Sequence, residues 1–153
     1  MRTLVKALTP GLFGAREVAL PAVDVRARRP GTAIGPKLRA LIDTGAAFTL
    51  AGVGVARLLG IGDDELTRGP SISITGVGGR PTEAYGVMLD LSIGATRDEA
   101  LELPGAWVYF SPAAIPGGFQ VLLGHHDVFE RLTFSVLNHP PRRRFVLREP
   151  STR

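Results

Sequence analysis

The sequence predicts an all-β fold with one or two short helices. Apolar residues alternate with polar residues in several stretches of the 153-residue chain, which is the period of a half-buried strand. The 19 glycines and 12 prolines supply turns between short elements. A hydrophobic fraction of 44% and a charged fraction of 21% are typical of globular proteins. The length suits one domain, and we expect residues 1–153 to form it.

Strands are predicted wherever the alternation is regular. Residues 39–42 form a short strand that leads into Asp43, and residues 48–50 continue it beyond the turn. Pro140 and Pro141 form a turn between the last two alternating stretches, which predicts a hairpin near the C-terminus. The alternating apolar positions are Val18, Leu20, Val23, Val25, Ile72, Ile74, Tyr85, Val87, Leu89, Leu91, Ile93, Leu132, Phe134, Val136, Phe145 and Leu147.

Two short helices and three loops complete the predicted elements. Residues 53–59 place apolar side chains on one face and stop before Gly60, a residue that commonly follows a helix end. Residues 126–132 have the apolar spacing of a second short helix. Loops are predicted at 68–71, 103–105 and 111–118, where glycine and proline oppose regular structure.

Composition argues against several classes of protein. Without cysteine there is no disulfide framework and no thiolate metal site, which suits a reducing compartment. Lys6 and Pro10 interrupt the N-terminal apolar stretch before it reaches signal-peptide length. No apolar run approaches the roughly 20 residues of a membrane-spanning helix. We therefore expect a soluble cytoplasmic protein without a membrane partner.

Positive charge is concentrated in two short segments. The net charge of +4 comes largely from residues 26–29 and 142–148, which could attract an acidic partner. Solvated edges and tails are the more common role of such runs. Residues 142–144 have no interleaved aromatic side chains and match no nucleic-acid motif. We therefore expect no nucleic acid partner.

The tripeptide Asp43-Thr44-Gly45 offers the chemistry of half an active site. Its carboxylate follows an apolar strand, and Gly45 allows backbone and substrate to approach closely. Two such carboxylates that share a proton can activate water and protonate a scissile carbonyl. The chain has one copy, so this chemistry would require a dimer. Because the bare motif occurs by chance in roughly one in twenty chains of this length, its context has to decide.

Two further features follow the motif in order. Residues 71–93 have the pattern of a hairpin with the tip Gly76-Val77-Gly78-Gly79, which could open and close over a bound peptide. About 80 residues after Asp43, the apolar segment 121–123 ends at Gly124 and precedes the second predicted helix. The motif therefore stands in an ordered set of three features.

Together these features resemble the retropepsin-like aspartic peptidases, the single-domain viral and bacterial relatives of pepsin. The resemblance covers about residues 18–147, and we place the core of the domain at about 18–148. It implies an acid-protease-like closed barrel with a flap hairpin and one or two short helices. It also implies a homodimer that hydrolyses a peptide or protein substrate as an aspartic endopeptidase, without a cofactor or metal.

The resemblance implies a role for each matched residue. Asp43 would be the catalytic carboxylate, and the Thr44 hydroxyl would bond across the two-fold axis so that the paired carboxylates stay coplanar. Gly45 and Ala46 would complete the active-site loop, with the Gly45 backbone near substrate. Two like charges about 3 Å apart would hold one proton between them, which predicts an acidic to mildly acidic optimum. The flap would comprise Thr75, Gly76, Val77, Gly78 and Gly79, and the loop would be supported by Leu122, Leu123 and Gly124.

The sequence departs from the viral pattern at two positions. Many viral members have an acidic residue and an arginine that form a supporting ion pair, and here those positions are Ala47 and His125. Because both partners are missing together, no lone charge is left buried. The dimer must therefore be supported in another way.

The same residues allow other interpretations. Asp43 could cap a backbone amide in an ordinary turn, and the chain could be a peptide-binding or assembly module without turnover. A basic nucleic-acid-binding domain would bind with strong salt dependence. His125 and His126 suggest a metal, yet adjacent histidines point in different directions and no third ligand is evident. The aromatic segment 106–110 could line a pocket or pack in the core.

Overall fold

Six strands close into a barrel in the computed structural model, which describes residues 1–13, 15–33, 35–75 and 79–151. The strands are β1 (Thr3–Ala7), β2 (Thr9–Phe13), β3 (Arg16–Leu20), β4 (Ala22–Arg28), β5 (Lys37–Ile42), β6 (Thr49–Gly52), β7 (Ser71–Thr75), β8 (Pro81–Ile93), β9 (Leu101–Ser111), β10 (Val121–Leu123), β11 (Thr133–Leu137) and β12 (Arg144–Arg148). The order around the barrel is β4, β5, β10, β6, β9 and β8, and β8 pairs back onto β4. The closed all-β barrel that the resemblance implied is confirmed.

The barrel interior is apolar because each strand alternates inward and outward residues. Along β4, Val23, Val25 and Ala27 are buried, and the residues between them are partly exposed. β8 and β9 add Leu91 and Phe110 to the same core. Burial of these side chains is the main force that holds the barrel closed.

The hairpin predicted at residues 71–93 is present. β7 pairs antiparallel with the first part of β8, from Ser71 opposite Tyr85 to Thr75 opposite Pro81. The last part of β8 pairs with β4 and belongs to the barrel. The hairpin therefore extends from the barrel wall.

The two ends of the chain meet in a separate three-stranded sheet. β12 lies between β1 and β11 and pairs antiparallel with both. Leu4, Phe145 and Leu147 are buried and pack with the residues of the barrel core. The sequence predicts the β11–β12 hairpin but not β1, because the partner of β1 lies at the far end of the chain.

Two short helices flank the barrel. The helix α1 (Val53–Leu58) confirms the prediction for residues 53–59 to within one residue. The helix α2 (Asp63–Arg68) was not predicted, because Leu66 is its one buried residue and so it has no apolar face to detect. Its three acidic residues in the first turn stabilise the helix, because their negative charges lie near the positive end of the helix dipole. No helix in the described ranges is long and apolar enough to cross a membrane.

The helix predicted at residues 126–132 is wrong. A five-residue π-helical turn, His125–Phe129, stands there, with an extended backbone at His126 and a φ of +67° at Asp127. The cause is a contact distant in sequence, since the Asp127 carboxylate accepts a hydrogen bond from the Trp107 N–H group at 2.8 Å. Apolar spacing alone does not carry that information.

The loop predicted at residues 103–105 is also wrong, because this segment lies inside β9. The pairing of β8 with β9 shifts register here, between Leu89 opposite Ala106 and Leu91 opposite Leu103. Such a bulge leaves one or two residues out of the ladder and accommodates proline and glycine within a strand. Of the predicted loop at 68–71, Arg68 ends α2, Ser71 begins β7, and only the two residues between them are irregular. The predicted loop at 111–118 follows the end of β9 and includes a short 3-10 turn at Pro116–Gly118.

Candidate active site around Asp43

Asp43 lies directly after β5, at the start of a tight turn. Its backbone N–H group donates to the Leu123 carbonyl at 3.0 Å, and its carbonyl accepts the Ala46 N–H group at 3.1 Å. The carboxylate accepts the Gly45 N–H group at 3.0 Å and is half-buried. This last bond is the one expected of an ordinary Asp turn, so the function of Asp43 depends on its surroundings.

β10 passes between β5 and β6 and brings the segment after Leu123 to the Asp43 turn. It runs parallel to β5, with Leu123 opposite Ile42, and antiparallel to β6. Beyond it, the N–H groups of His125 and His126 donate to the carbonyls of Ala46 and Ala47, both at 2.8 Å. The two loop segments that the sequence singles out are therefore joined by backbone hydrogen bonds.

Thr49 is a contributor that sequence reasoning missed. Its hydroxyl oxygen accepts the Gly124 N–H group at 3.1 Å, and the residue is 1% exposed. A buried hydroxyl needs such a partner, and the bond fixes Gly124 against the start of β6. The only signal of this role in the sequence is that Thr49 lies six residues after Asp43, and this spacing is not specific.

The rest of the predicted active-site loop is open to solvent. Thr44 and Gly45 are exposed, and Ala46 is half-buried. Within the described part of the chain, the Thr44 hydroxyl has no hydrogen bond. The Asp43 carboxylate has no hydrogen bond to a second carboxyl group there. One chain therefore presents a single carboxylate on an open surface.

The structure describes only part of the predicted flap. Thr75 is exposed at the end of β7, and Gly79 is exposed with a φ of +75°, a backbone conformation that glycine adopts readily. Gly76, Val77 and Gly78 lie outside the described residues. Leu122 and Leu123 lie on β10, where Leu123 is fully buried and Leu122 half-buried.

Aromatic side chains pack behind the Asp43 loop. The Phe48 ring meets Tyr109 edge to face at 5.2 Å and His126 at 5.9 Å, and Trp107 stacks on Tyr109 at 6.5 Å. Phe110 points the other way and is fully buried in the barrel core. The aromatic segment 106–110 therefore serves both the core and the support of the loop.

A charged cluster follows the loop support. His126, Asp127 and Glu130 offer ligand atoms within 4.8 Å of one another, a set that the sequence analysis did not detect. The Arg131 guanidinium donates to Asp127 at 3.1 Å, and this positive charge disfavours a bound cation. We therefore interpret the cluster as an ion-pair network.

The network favours the ionised form of both carboxylates. Burial alone would raise the pKa of Asp127, but hydrogen bonds from the Trp107 N–H group and Arg131, with the nearby charges, lower that pKa below its ordinary value. The pKa of Glu130 is lowered by the Asp127 N–H group and by His126. Both side chains thus hold their negative charge into the acidic range.

Two cavities formed by the described residues lie away from Asp43. One of about 580 Å³ is bordered by Arg26, Arg28 and Asp90 on β4 and β8. A smaller one, near Val23 and Arg39, is also formed without the Asp43 loop. In the described residues, therefore, neither of these cavities encloses the candidate carboxylate.

The fold is similar to the crystal structure of a retropepsin-like aspartic protease from Rickettsia conorii. The TM-score is 0.60 at 15% sequence identity, and the alignment covers 95% of this chain and 98% of that chain. No protein-family model and no curated protein matches the sequence. At this identity the similarity establishes a shared fold and assigns no role to individual residues.

Proposed function

We propose that the chain is a retropepsin-like aspartic endopeptidase that works as a homodimer, with one Asp43 from each copy. The observation that carries the proposal is the placement of Asp43. Asp43 is half-buried and lies at the end of a barrel strand, where its backbone N–H group donates to the Leu123 carbonyl. The next two residues of the turn, Thr44 and Gly45, are exposed. The fold shared with an aspartic protease supports peptide hydrolysis as the reaction, by analogy of fold.

The reaction is peptide-bond hydrolysis by an activated water. One Asp43 carboxylate removes a proton from the water, whose oxygen attacks the scissile carbonyl carbon, while the protonated Asp43 of the second copy donates to the carbonyl oxygen. The tetrahedral species collapses, the C–N bond breaks, and a proton passes to the leaving amine. The products are a carboxylic acid and an amine, and the pair of carboxylates regains its single proton.

A dimer completes the site because one chain provides half of it. A two-fold axis beside Asp43 would place identical loops face to face and form a cleft between two surfaces that are open in the single chain. The exposed Thr44 would bond across that axis, and Gly45 would present its backbone to substrate. The β7–β8 hairpin, with Thr75 and Gly79 near its tip, would cover the bound peptide and exclude water.

A second candidate is a peptide-binding or assembly module with the same fold and no turnover. Ala47 and His125 favour it. Among the described residues they contribute backbone hydrogen bonds and form no ion pair, at the positions where many viral members of the family that the sequence resembles have one. Such a module would dimerise and bind extended peptides. It would leave them uncleaved.

The decisive experiment compares wild type, Asp43→Asn and Asp98→Asn on an unstructured peptide library between about pH 3 and 8. Asp98 is an exposed carboxylate outside the Asp43 loop and serves as the matched control. The proposal expects cleavage by wild type and Asp98→Asn and none by Asp43→Asn. Cleavage that survives in Asp43→Asn would overturn it, and peptide binding without any cleavage by wild type would favour the second candidate.

A further inference from the structure

Asp127 has a backbone conformation that is uncommon for residues other than glycine. Its φ is +67° and its ψ is −36°, and among the described residues it is the one non-glycine with positive φ. Such conformations persist only where the surroundings hold them, and they cluster at functional sites. We therefore expect specific contacts to hold Asp127 in this conformation.

Both oxygens of the Asp127 carboxylate are occupied by donors from other parts of the chain. Oδ2 accepts the Trp107 N–H group at 2.8 Å, and Oδ1 accepts the Arg131 guanidinium at 3.1 Å. The Asp127 N–H group donates to Glu130 at 3.2 Å. With 15% of its side chain exposed, Asp127 is a well-shielded anchor.

Arg131 connects this anchor to an irregular part of β9. Its guanidinium also donates to the Pro104 carbonyl at 2.6 Å and to the Gly105 carbonyl at 3.1 Å. These carbonyls lie at the bulge of β9, where the strand pairing shifts. One planar cation thus joins the bulge to Asp127, a geometry that lysine cannot reproduce.

The residues just before Asp127 are hydrogen-bonded to the Asp43 loop. His125 and His126 donate their N–H groups to Ala46 and Ala47, three and four residues beyond Asp43. Because Asp127 follows His126 directly, the anchoring of its carboxylate fixes the direction of those donors.

We propose that Asp127, held by Arg131 and the Trp107 N–H group, is a positioning residue for the Asp43 loop. It acts through the backbone of His125 and His126 and does not touch substrate. The inference rests on the proposed peptidase function for its catalytic consequence. Its effect on the structure of the loop can be measured by hydrogen exchange, without substrate.

Asp90 provides a matched control for this role. Its carboxylate accepts the Gly105 N–H group at 3.0 Å and pairs with Arg28, and its side chain is 17% exposed. Asp90 therefore anchors the same bulge of β9 with the same kinds of donor. Among the described residues, it has no hydrogen bond or ion pair to the Asp43 loop.

The test measures backbone amide exchange at Asp43, His125 and His126 in Asp127→Asn and Asp90→Asn, each corrected for intrinsic rates. We expect exchange about tenfold faster at these three amides in Asp127→Asn and within about threefold of wild type in Asp90→Asn. If Asp127→Asn does not fold, Arg131→Lys supplies the comparison, with the same expected acceleration. Unchanged exchange at these amides, or equal acceleration in Asp90→Asn, overturns the positioning role.

Kinetics distinguish this inference from the proposed function. If wild type cleaves peptides, Asp127→Asn should lower kcat about tenfold with KM nearly unchanged, because the reacting carboxylate and not the binding surface is displaced. A rise in KM with unchanged kcat would contradict positioning. If wild type does not cleave, the proposed function fails, and the exchange rates alone still decide the role of Asp127.

Discussion

Gly124 lies directly against the backbone carbonyl of Phe48. A Cβ atom on Gly124 would stand 2.1 Å from that carbonyl oxygen and 2.3 Å from the carbonyl carbon. The close approach allows the Gly124 N–H group to reach the Thr49 hydroxyl. Only a residue without a side chain lets the chain after β10 pass this near to the turn that carries Asp43.

Replacing Gly124 with alanine should therefore destabilise the protein by about 1 to 3 kcal/mol, since the new methyl group meets rigid backbone. Gly54→Ala in α1 is the control, because a Cβ there meets open space. We expect Gly54→Ala to be neutral or stabilising by up to about 1 kcal/mol. Urea unfolding measures both, and equal effects of the two substitutions would contradict the close approach.

Leu123 and Leu122 separate the packing role of β10 from its backbone role. Leu123 is fully buried in the core, whereas Leu122 is half-buried on the other face of the strand. Leu123→Ala should reduce the free energy of unfolding by about 2 to 5 kcal/mol. Leu122→Ala should reduce it by about 1 kcal/mol. A larger loss for Leu122→Ala in denaturant melts would show that the strand faces are assigned incorrectly.

Thr44 tests the dimer contact without disturbing the fold of one chain. Its hydroxyl is exposed and unpaired within the described residues, so Thr44→Val should leave the stability of the chain unchanged. Two lost hydrogen bonds across the axis should weaken dimerisation roughly tenfold or more. Sedimentation at a series of concentrations gives the dissociation constant, with the exposed Thr96→Val as control. An unaltered dissociation constant for Thr44→Val would remove this residue from the interface.

Asp127 should make stability depend on pH in the acidic range. Because its pKa is lowered in the folded state, its contribution is present above the unfolded-state pKa and is lost as pH falls through the folded-state pKa. The stability difference between wild type and Asp127→Asn should be constant near neutral pH and shrink below about pH 4. Urea unfolding at a series of pH values measures it. A difference that grows on acidification would contradict the direction of the shift.

The sequence predicts β4, β5, β6 and β8 of the barrel because burial imposes a period of two that is visible locally, whereas β9 was not predicted as a strand. The residues Val23, Val25 and Leu91 alternate in the sequence and are buried in the structure. The predicted hairpin at residues 71–93 forms for the same reason. Local pattern and tertiary burial agree at these positions.

Predictions fail where a contact distant in sequence overrides local preference. Residues 126–132 have helical spacing, yet Asp127 bonds to Trp107 on another strand and the regular helix does not form. The supporting roles of Thr49 and Arg131 depend on partners that no local motif reveals. The motif around Asp43 is visible in the sequence because glycine and aspartate mark the turn, whereas its support is a property of the fold.

The proposed active site needs Asp43 from two chains, and a subunit-mixing experiment distinguishes it from a site within one chain. Wild type and Asp43→Asn are refolded together in varied ratios at constant total concentration, so that mixed dimers form. If both carboxylates are required, an equimolar mixture should retain about a quarter of the peptidase activity of wild type alone, because only wild-type pairs are active. Retention of about half, in linear proportion to the wild-type fraction, would show that each chain acts alone and would contradict a site shared between two chains.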